Sequence, residues 1–106
     1  NQFTKVISLA HITNVSGDKR DIKSIIEIAH KNNILVVIDG AQSVPHISVD
    51  VCDLDIDFLA FSAHKMCGPT DVGILYVKSS FMILNQLNSC CKIKFFRISY
   101  LVFVSP

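Results

Sequence analysis

The sequence predicts an α/β fold, a mainly parallel sheet with flanking helices, and three observations carry that expectation. Residues 34–38 (ILVVI) are an unbroken apolar run rich in β-branched side chains, the pattern of a strand covered on both faces. Ile22, Ile25, Ile26 and Ala29 recur at i, i+3, i+4 and i+7, one apolar stripe of a helix. Shorter apolar runs at 6–10 (VISLA), 58–61 (FLAF) and 73–77 (GILYV) are separated by turn-forming residues.

Taken in order, Val6 to Ala10 reads as the first strand, followed by a polar turn from His11 to Gly17. Asp18 is expected to cap the next helix, with Asp21 adding negative charge in its first turn. Asn32 and Asn33 supply a stop, because asparagine tolerates the left-handed conformation on which helices often end. Residues 34–38 then return as a strand, and strand, helix and strand in such succession make a crossover in a parallel sheet. The acidic turn Asp53 to Asp57 precedes the strand at 58–61, and Gly68-Pro69 breaks the chain before the strand at 73–77. Residues 79–88 suit a short helix, and Phe95 to Val104 suits a strand or an apolar tail.

Composition narrows the function classes. The chain has 106 residues, half of them hydrophobic and 18% charged, with a formal net charge of +1. That balance excludes an intrinsically disordered chain and gives no broad basic footprint for nucleic acid. No apolar run reaches the length of a membrane span. The start lacks Met and the apolar core of a signal peptide, so the natural N-terminus is expected upstream and the chain reads as a fragment. All nine acidic residues precede residue 79, whereas Lys92, Lys94 and Arg97 stand in a stretch without acids. Four of the seven Phe lie there too, which divides a body at 1–80 from a divergent tail at 81–106. Cys52, Cys67, Cys90 and Cys91 show neither a disulfide framework nor the paired spacing of a zinc site, so reduced thiols are expected and no metal.

In open α/β sheets, ligands bind beyond the carboxyl ends of the strands. The loops there carry Asn14, Asp39, Gln42, Ser62, His64 and Lys65. Singly, each has an ordinary reading. An Asp after an apolar strand binds ribose, magnesium or only a backbone N–H, and adjacent polar residues such as His64 and Lys65 are usually solvated. His11 and His46 are equally suited to plain loop hydrogen bonds. Together, the residues suit pyridoxal phosphate, which needs a lysine for a Schiff base and an acid paired with its ring nitrogen. Asp39 can keep that nitrogen protonated, and Gln42 can reach the ring hydroxyl. Ser62 and His64 are two apart, so in an extended segment both project to one side, toward the phosphate. Lys65 then supplies the amine.

The segments IDGAQSVPHISVDV (38–51) and FSAHKMCGPTDVGILYVK (61–78) resemble class V aminotransferases. Among these the match is to cysteine desulfurases of the sulfur-mobilising, group II type, including selenocysteine lyase-like members. It covers roughly residues 3–80 and rests on D-x-x-Q, S-x-H-K and G-P-T. The resemblance implies the large domain of fold-type I enzymes, of which 1–80 would be a part. It implies that Lys65 binds the cofactor and serves as acid and base for the substrate Cα proton. Asp39 would pair with the ring nitrogen, Gln42 with the ring hydroxyl, Ser62 and His64 with the phosphate, and Asn14 with the substrate carboxylate. The reaction would convert L-cysteine to L-alanine, passing sulfur to an enzyme persulfide and on to an acceptor protein, as in iron–sulfur cluster assembly. The full enzyme would be a homodimer, cytoplasmic, or plastid if a transit peptide precedes this sequence.

Two departures accompany the match. The family's persulfide-forming cysteine lies far beyond residue 80, and none of the four cysteines here occupies its place, so the segment is expected to be inactive alone. Asp71 stands where the family has glycine, which sets a Cβ and a carboxylate on a tight turn. Other readings stay open at this point: a selenocysteine lyase, an aminotransferase, a kynureninase-like hydrolase, or a non-catalytic gene remnant.

Overall fold

A computed structural model describes residues 2–81 and the backbone of 93–96. Five strands form one sheet in sequence order: β1 (Val6–Ala10), β2 (Leu35–Asp39), β3 (Phe58–Ser62), β4 (Gly73–Val77) and β5 (Ile93–Phe96). Helix α1 (Ile22–Lys31) connects β1 to β2. The α/β class and the β1–α1–β2 crossover are as the sequence predicts. β1, β2 and β3 are parallel, while β4 and β5 join antiparallel. The short connection from Ser62 to Gly73 makes a hairpin rather than a further crossover, which needs a dozen or more residues.

Register divides the sheet into two faces. Leu9 stands opposite Ile38, Ile38 opposite Leu59, and Leu59 opposite Tyr76, so these side chains share the face under α1. There Ile22, Ile26 and Ala29 of the helix pack with Val36, Ile38, Ile56, Leu59 and Tyr76 as one buried cluster. Ile25 is only half-buried and Ile28 is exposed, so the buried stripe is narrower than the apolar pattern. The opposite face carries Ser8, Val37, Asp39, Ala60, Ser62 and Leu75, and among the described residues no helix covers it.

The start of α1 differs from expectation. Its cap is Asp21, whose side chain accepts from Ser24 N (3.3 Å) and Ser24 Oγ (2.6 Å). These bonds hold the Asp21 carboxyl below the usual carboxylate range. Asp18 is engaged elsewhere: its carbonyl accepts from Thr13 N at 3.1 Å, and Ile12 and Lys19 form an antiparallel bridge. A small hairpin therefore takes the residues that looked like the first helical turn. The helix end agrees with the sequence, with Asn32 as C-cap and Asn33 left-handed at φ 55°.

Two further expectations meet a mixed outcome. The helix expected at 79–88 appears as a 3-10 turn at Ser79–Phe81, and 82–88 lie outside the described residues. The strand expected at 95–104 is found as β5 at Ile93–Phe96, with the remainder outside them. Cys67 is a free, exposed thiol, but Cys52 is disulfide-bonded, which corrects the expectation of reduced thiols at that position.

At the edge away from the carboxyl ends of β1–β3, charged groups fasten helix to sheet. His30, near the end of α1, places Nε2 2.9 Å from Asp57 Oδ2 and Nδ1 3.1 Å from Asp55 Oδ2. Asp57 is 2% exposed and also accepts from Val36 N at 2.9 Å, joining β2 to the start of β3. Lys78 Nζ donates to Asp55 Oδ1 at 2.6 Å. That bond holds the Asp55 carboxyl below its ordinary range and pushes the Lys78 ammonium above its own.

Candidate active site

β2 ends at Asp39 and β3 runs two residues further to Ser62, and these last residues set the site. Asp39 pairs in register with Ala60, so Asp39 and Ser62 lie on the same uncovered face of neighbouring strands. Asp39 Oδ1 accepts from Ala41 N at 2.9 Å, a turn bond that fixes the carboxylate. The backbone beyond is drawn tight: Gly40 N donates to Ala60 O at 2.8 Å, and Val44 N donates to Gly40 O at 2.9 Å. A Cβ on Gly40 would stand 2.7 Å from Leu59 Cδ1 and 3.0 Å from Val44 Cγ2, so a larger residue here would make those side chains shift.

Gln42 follows on that turn, and its Nε2 donates to Asn14 Oδ1. Two residues 28 apart in sequence are thereby joined, and the Gln42 side-chain carbonyl is left to accept a hydroxyl. Asn14 sits on the hairpin after β1, which is held by side chains: Thr13 Oγ1 bonds Ser16 Oγ at 2.6 Å, and Asp18 N donates to Thr13 Oγ1 at 3.0 Å. The sequence reading singled out neither Thr13 nor Ser16; a cluster of hydroxyl and carboxylate residues in a short loop was the available signal. Nδ1 of His46 lies 2.6 Å from Gln42 O, an ordinary loop contact.

After Ser62 the chain leaves the sheet in a 3-10 turn at Ala63–Met66, which carries His64 and Lys65, both exposed. His64 is therefore not on an extended segment with Ser62, and the geometric reason for pairing the two does not hold, although they stay two residues apart. Cys67 closes the turn in the left-handed conformation at φ 60°. Gly68 N donates to Ala63 O at 2.9 Å, and a Cβ on Gly68 would stand 2.9 Å from that same oxygen. The turn presenting Lys65 is thus closed by a glycine. Asp71 does not have positive φ, so the tight turn takes it without backbone strain.

Beside these residues runs a groove of about 350 Å³ whose lining includes Val37, Asp39, Ala60, Ser62 and Leu75. Its apolar floor, a carboxylate and a hydroxyl suit a flat heteroaromatic ring with a polar substituent. The donor set therefore fits pyridoxal phosphate: an acid for a ring nitrogen, an amide for a ring hydroxyl, a hydroxyl for a phosphate and an amine on the next turn. Among the described residues, Lys65, His64 and Ser62 form no side-chain hydrogen bond or ion pair, which leaves them available.

A second cavity, of about 450 Å³, lies below the hairpin against His11, Lys19, Lys23 and Asp53. Its charges serve the fold. Lys23 pairs with Asp53 at 3.1 Å, Arg20 Nη1 donates to Ala10 O at 2.9 Å, and Asp21 caps α1. His11 is 3% exposed, and among the described residues its Nδ1 has no hydrogen-bond partner. Burial, then the charge of Lys19, pushes its imidazole below the ordinary value of 6.5.

The aminotransferase class-V family profile matches residues 1–91. The chain belongs to the class V aminotransferases. Two relatives within this family are a probable cysteine desulfurase of Halalkalibacterium halodurans, 47% identical over 82 residues, and a cysteine desulfurase of Haloferax volcanii, 46% identical over 79. These alignments take in 77% and 74% of this chain, and 20% and 18% of the relatives. The structure superposes on the cysteine desulfurase CsdA of Escherichia coli with a TM-score of 0.73 at 42% identity, covering 76% of this chain and 20% of that one. SspA, solved in complex with cysteine, gives a TM-score of 0.68 at 37% identity, covering 72% and 22%. This class V chain thus spans about a fifth of the length of the relatives it matches.

Proposed function

We propose that this class V chain is the cofactor-lysine segment of a pyridoxal phosphate-dependent cysteine desulfurase, which turns L-cysteine into L-alanine and passes the sulfur to a persulfide. The observation that carries the reading is the meeting of Asp39 and Ser62 on one sheet face, with Lys65 on the turn that follows. Similarity to cysteine desulfurases at about 45% identity supports it.

Bound in the groove, pyridoxal phosphate would supply an electron sink for the charge left when the substrate loses its Cα proton. Asp39 would hold a proton on the ring nitrogen. Lys65 Nζ would bind the aldehyde carbon and then move the Cα proton. Gln42 would do two things, facing the ring hydroxyl and fixing Asn14, which orients the substrate carboxylate. Ser62 would donate to the phosphate, with His64 beside it. The sulfur acceptor and a second subunit would belong to the assembled enzyme, which is proposed as a homodimer.

The test is reductive trapping. The chain is incubated with pyridoxal phosphate, reduced with borohydride and mapped by peptide mass spectrometry. Selective labelling of Lys65, weakened in Asp39→Ala, supports the reading. Labelling spread evenly over Lys5, Lys31 and Lys78 overturns it.

A further inference from the structure

One acidic side chain stands near the Ser62 end of this groove, Asp71 on the segment that leads into β4. Ser62 pairs with Gly73 across β3 and β4, and Ala63 N donates to Val72 O at 2.9 Å. Continuing that antiparallel register by one residue brings Asp71 opposite the Ala63–Met66 turn, beside the end of β3 where Ser62 stands. Asp71 is exposed, and among the described residues its carboxylate makes no hydrogen bond or ion pair. No other residue from 60 to 75 is acidic. An unpaired carboxylate therefore lies two residues before Gly73, which lines the groove beside Ser62, the residue proposed to hold the phosphate.

We propose that Asp71 is a specificity-determining residue that disfavours the phosphorylated aldehyde relative to its unphosphorylated form, pyridoxal. The inference rests on the cofactor reading given above. A phosphate ester carries close to two negative charges at neutral pH. Repulsion between it and a carboxylate on the adjoining segment, across wet protein surface, weakens binding about threefold to tenfold. Pyridoxal carries no such charge and is unaffected. Any effect of Asp71 on the Lys65 amine, which stands on the neighbouring turn, acts on both aldehydes alike, so the difference between them reports the phosphate end.

The experiment compares the two aldehydes on the whole 106-residue chain. Each is incubated at low ionic strength with the parent chain, Asp71→Asn and Asp71→Glu, then trapped with borohydride and quantified at Lys65. In Asp71→Asn, pyridoxal phosphate labelling is expected to rise about threefold to tenfold, with pyridoxal labelling unchanged. Asp71→Glu, which keeps the charge, stays near the parent. Repeating the reaction at about 1 M salt, where the screening length falls to about 3 Å, closes most of the gap. Equal pyridoxal phosphate labelling of parent and Asp71→Asn overturns the proposal. So does a rise with both aldehydes together, which would place the effect on Lys65 or on the turn. Absence of Lys65 labelling with either aldehyde in every variant overturns the cofactor reading and this inference with it, an outcome distinct from the other two.

Discussion

The two ends of the strands use charge in opposite ways. At one end His30, Asp55, Asp57 and Lys78 are bonded to one another, with Asp57 buried and tied to the β2 backbone. At the other, Asp39, His64, Lys65 and Asp71 are exposed and make no ion pair among the described residues. The first set closes on itself and holds helix to sheet. The second is open to something that arrives. Charge density alone would not separate them; the pairing does.

That contrast predicts separable failures. Lys65→Ala is expected to abolish site-specific trapping of pyridoxal phosphate while leaving the thermal midpoint unchanged, read by mass spectrometry and circular dichroism. Asp57→Ala is expected to do the reverse. It leaves Val36 N and His30 without their buried acceptor and lowers stability by about 3–5 kcal/mol in denaturant titration. Gly40→Ala falls at the site end, next to Asp39, where its methyl meets Leu59 under the turn that carries Gln42. It is expected to cost about 1–3 kcal/mol, and a variant as stable as the parent would show that the turn relaxes freely.

The dependence on pH follows from the same comparison. Asp55 is held below its ordinary 3.8, so its contribution is complete above that value and is lost as pH falls through its lower folded value. Lys78 is raised above 10.5, so its contribution is complete below 10.5 and is lost as pH climbs through its higher folded value. His11 is lowered from 6.5, so stability falls as pH drops below about 6.5 and the unfolded chain takes up the proton more readily. Thermal midpoints from pH 3 to 11 should therefore form a plateau above neutrality, and Asp55→Asn should flatten both extreme limbs. The smallest effect belongs to Lys23→Ala, whose partner Asp53 is well exposed: about 0.5 kcal/mol or less.

Much of this was legible in the sequence where the signal is local. The runs at 6–10 and 73–77 became strands with the expected bounds, and the Asn pair ended α1 as its backbone tolerance suggests. The direction of the 73–77 strand was not legible, because an apolar run such as GILYV fits a parallel or an antiparallel neighbour equally well. Asp18 and Asp21 both resemble caps in sequence, and only the Ile12–Lys19 bridge decides between them. At the site, Asp39 and Lys65 could be found from strand-end position and chemistry. The Gln42–Asn14 bond and the His30–Asp57 bond span 28 and 27 residues, and no local pattern announces them. His64 shows a finer difference, since the 3-10 turn at Ala63 replaces the extended geometry on which its alignment with Ser62 had rested.

One feature of the sheet bears on how the chain behaves at high concentration. β1 pairs with β2 on one side, and among the described residues nothing pairs with its other side. Its backbone there offers a row of amides and carbonyls to any extended segment, and Val6, 53% exposed, adds apolar surface. Such a border is a template for self-association, and a lysine in place of Val6 would blunt it. Purification in dilute solution, or with a binding segment supplied to cap β1, follows directly from the order of the strands.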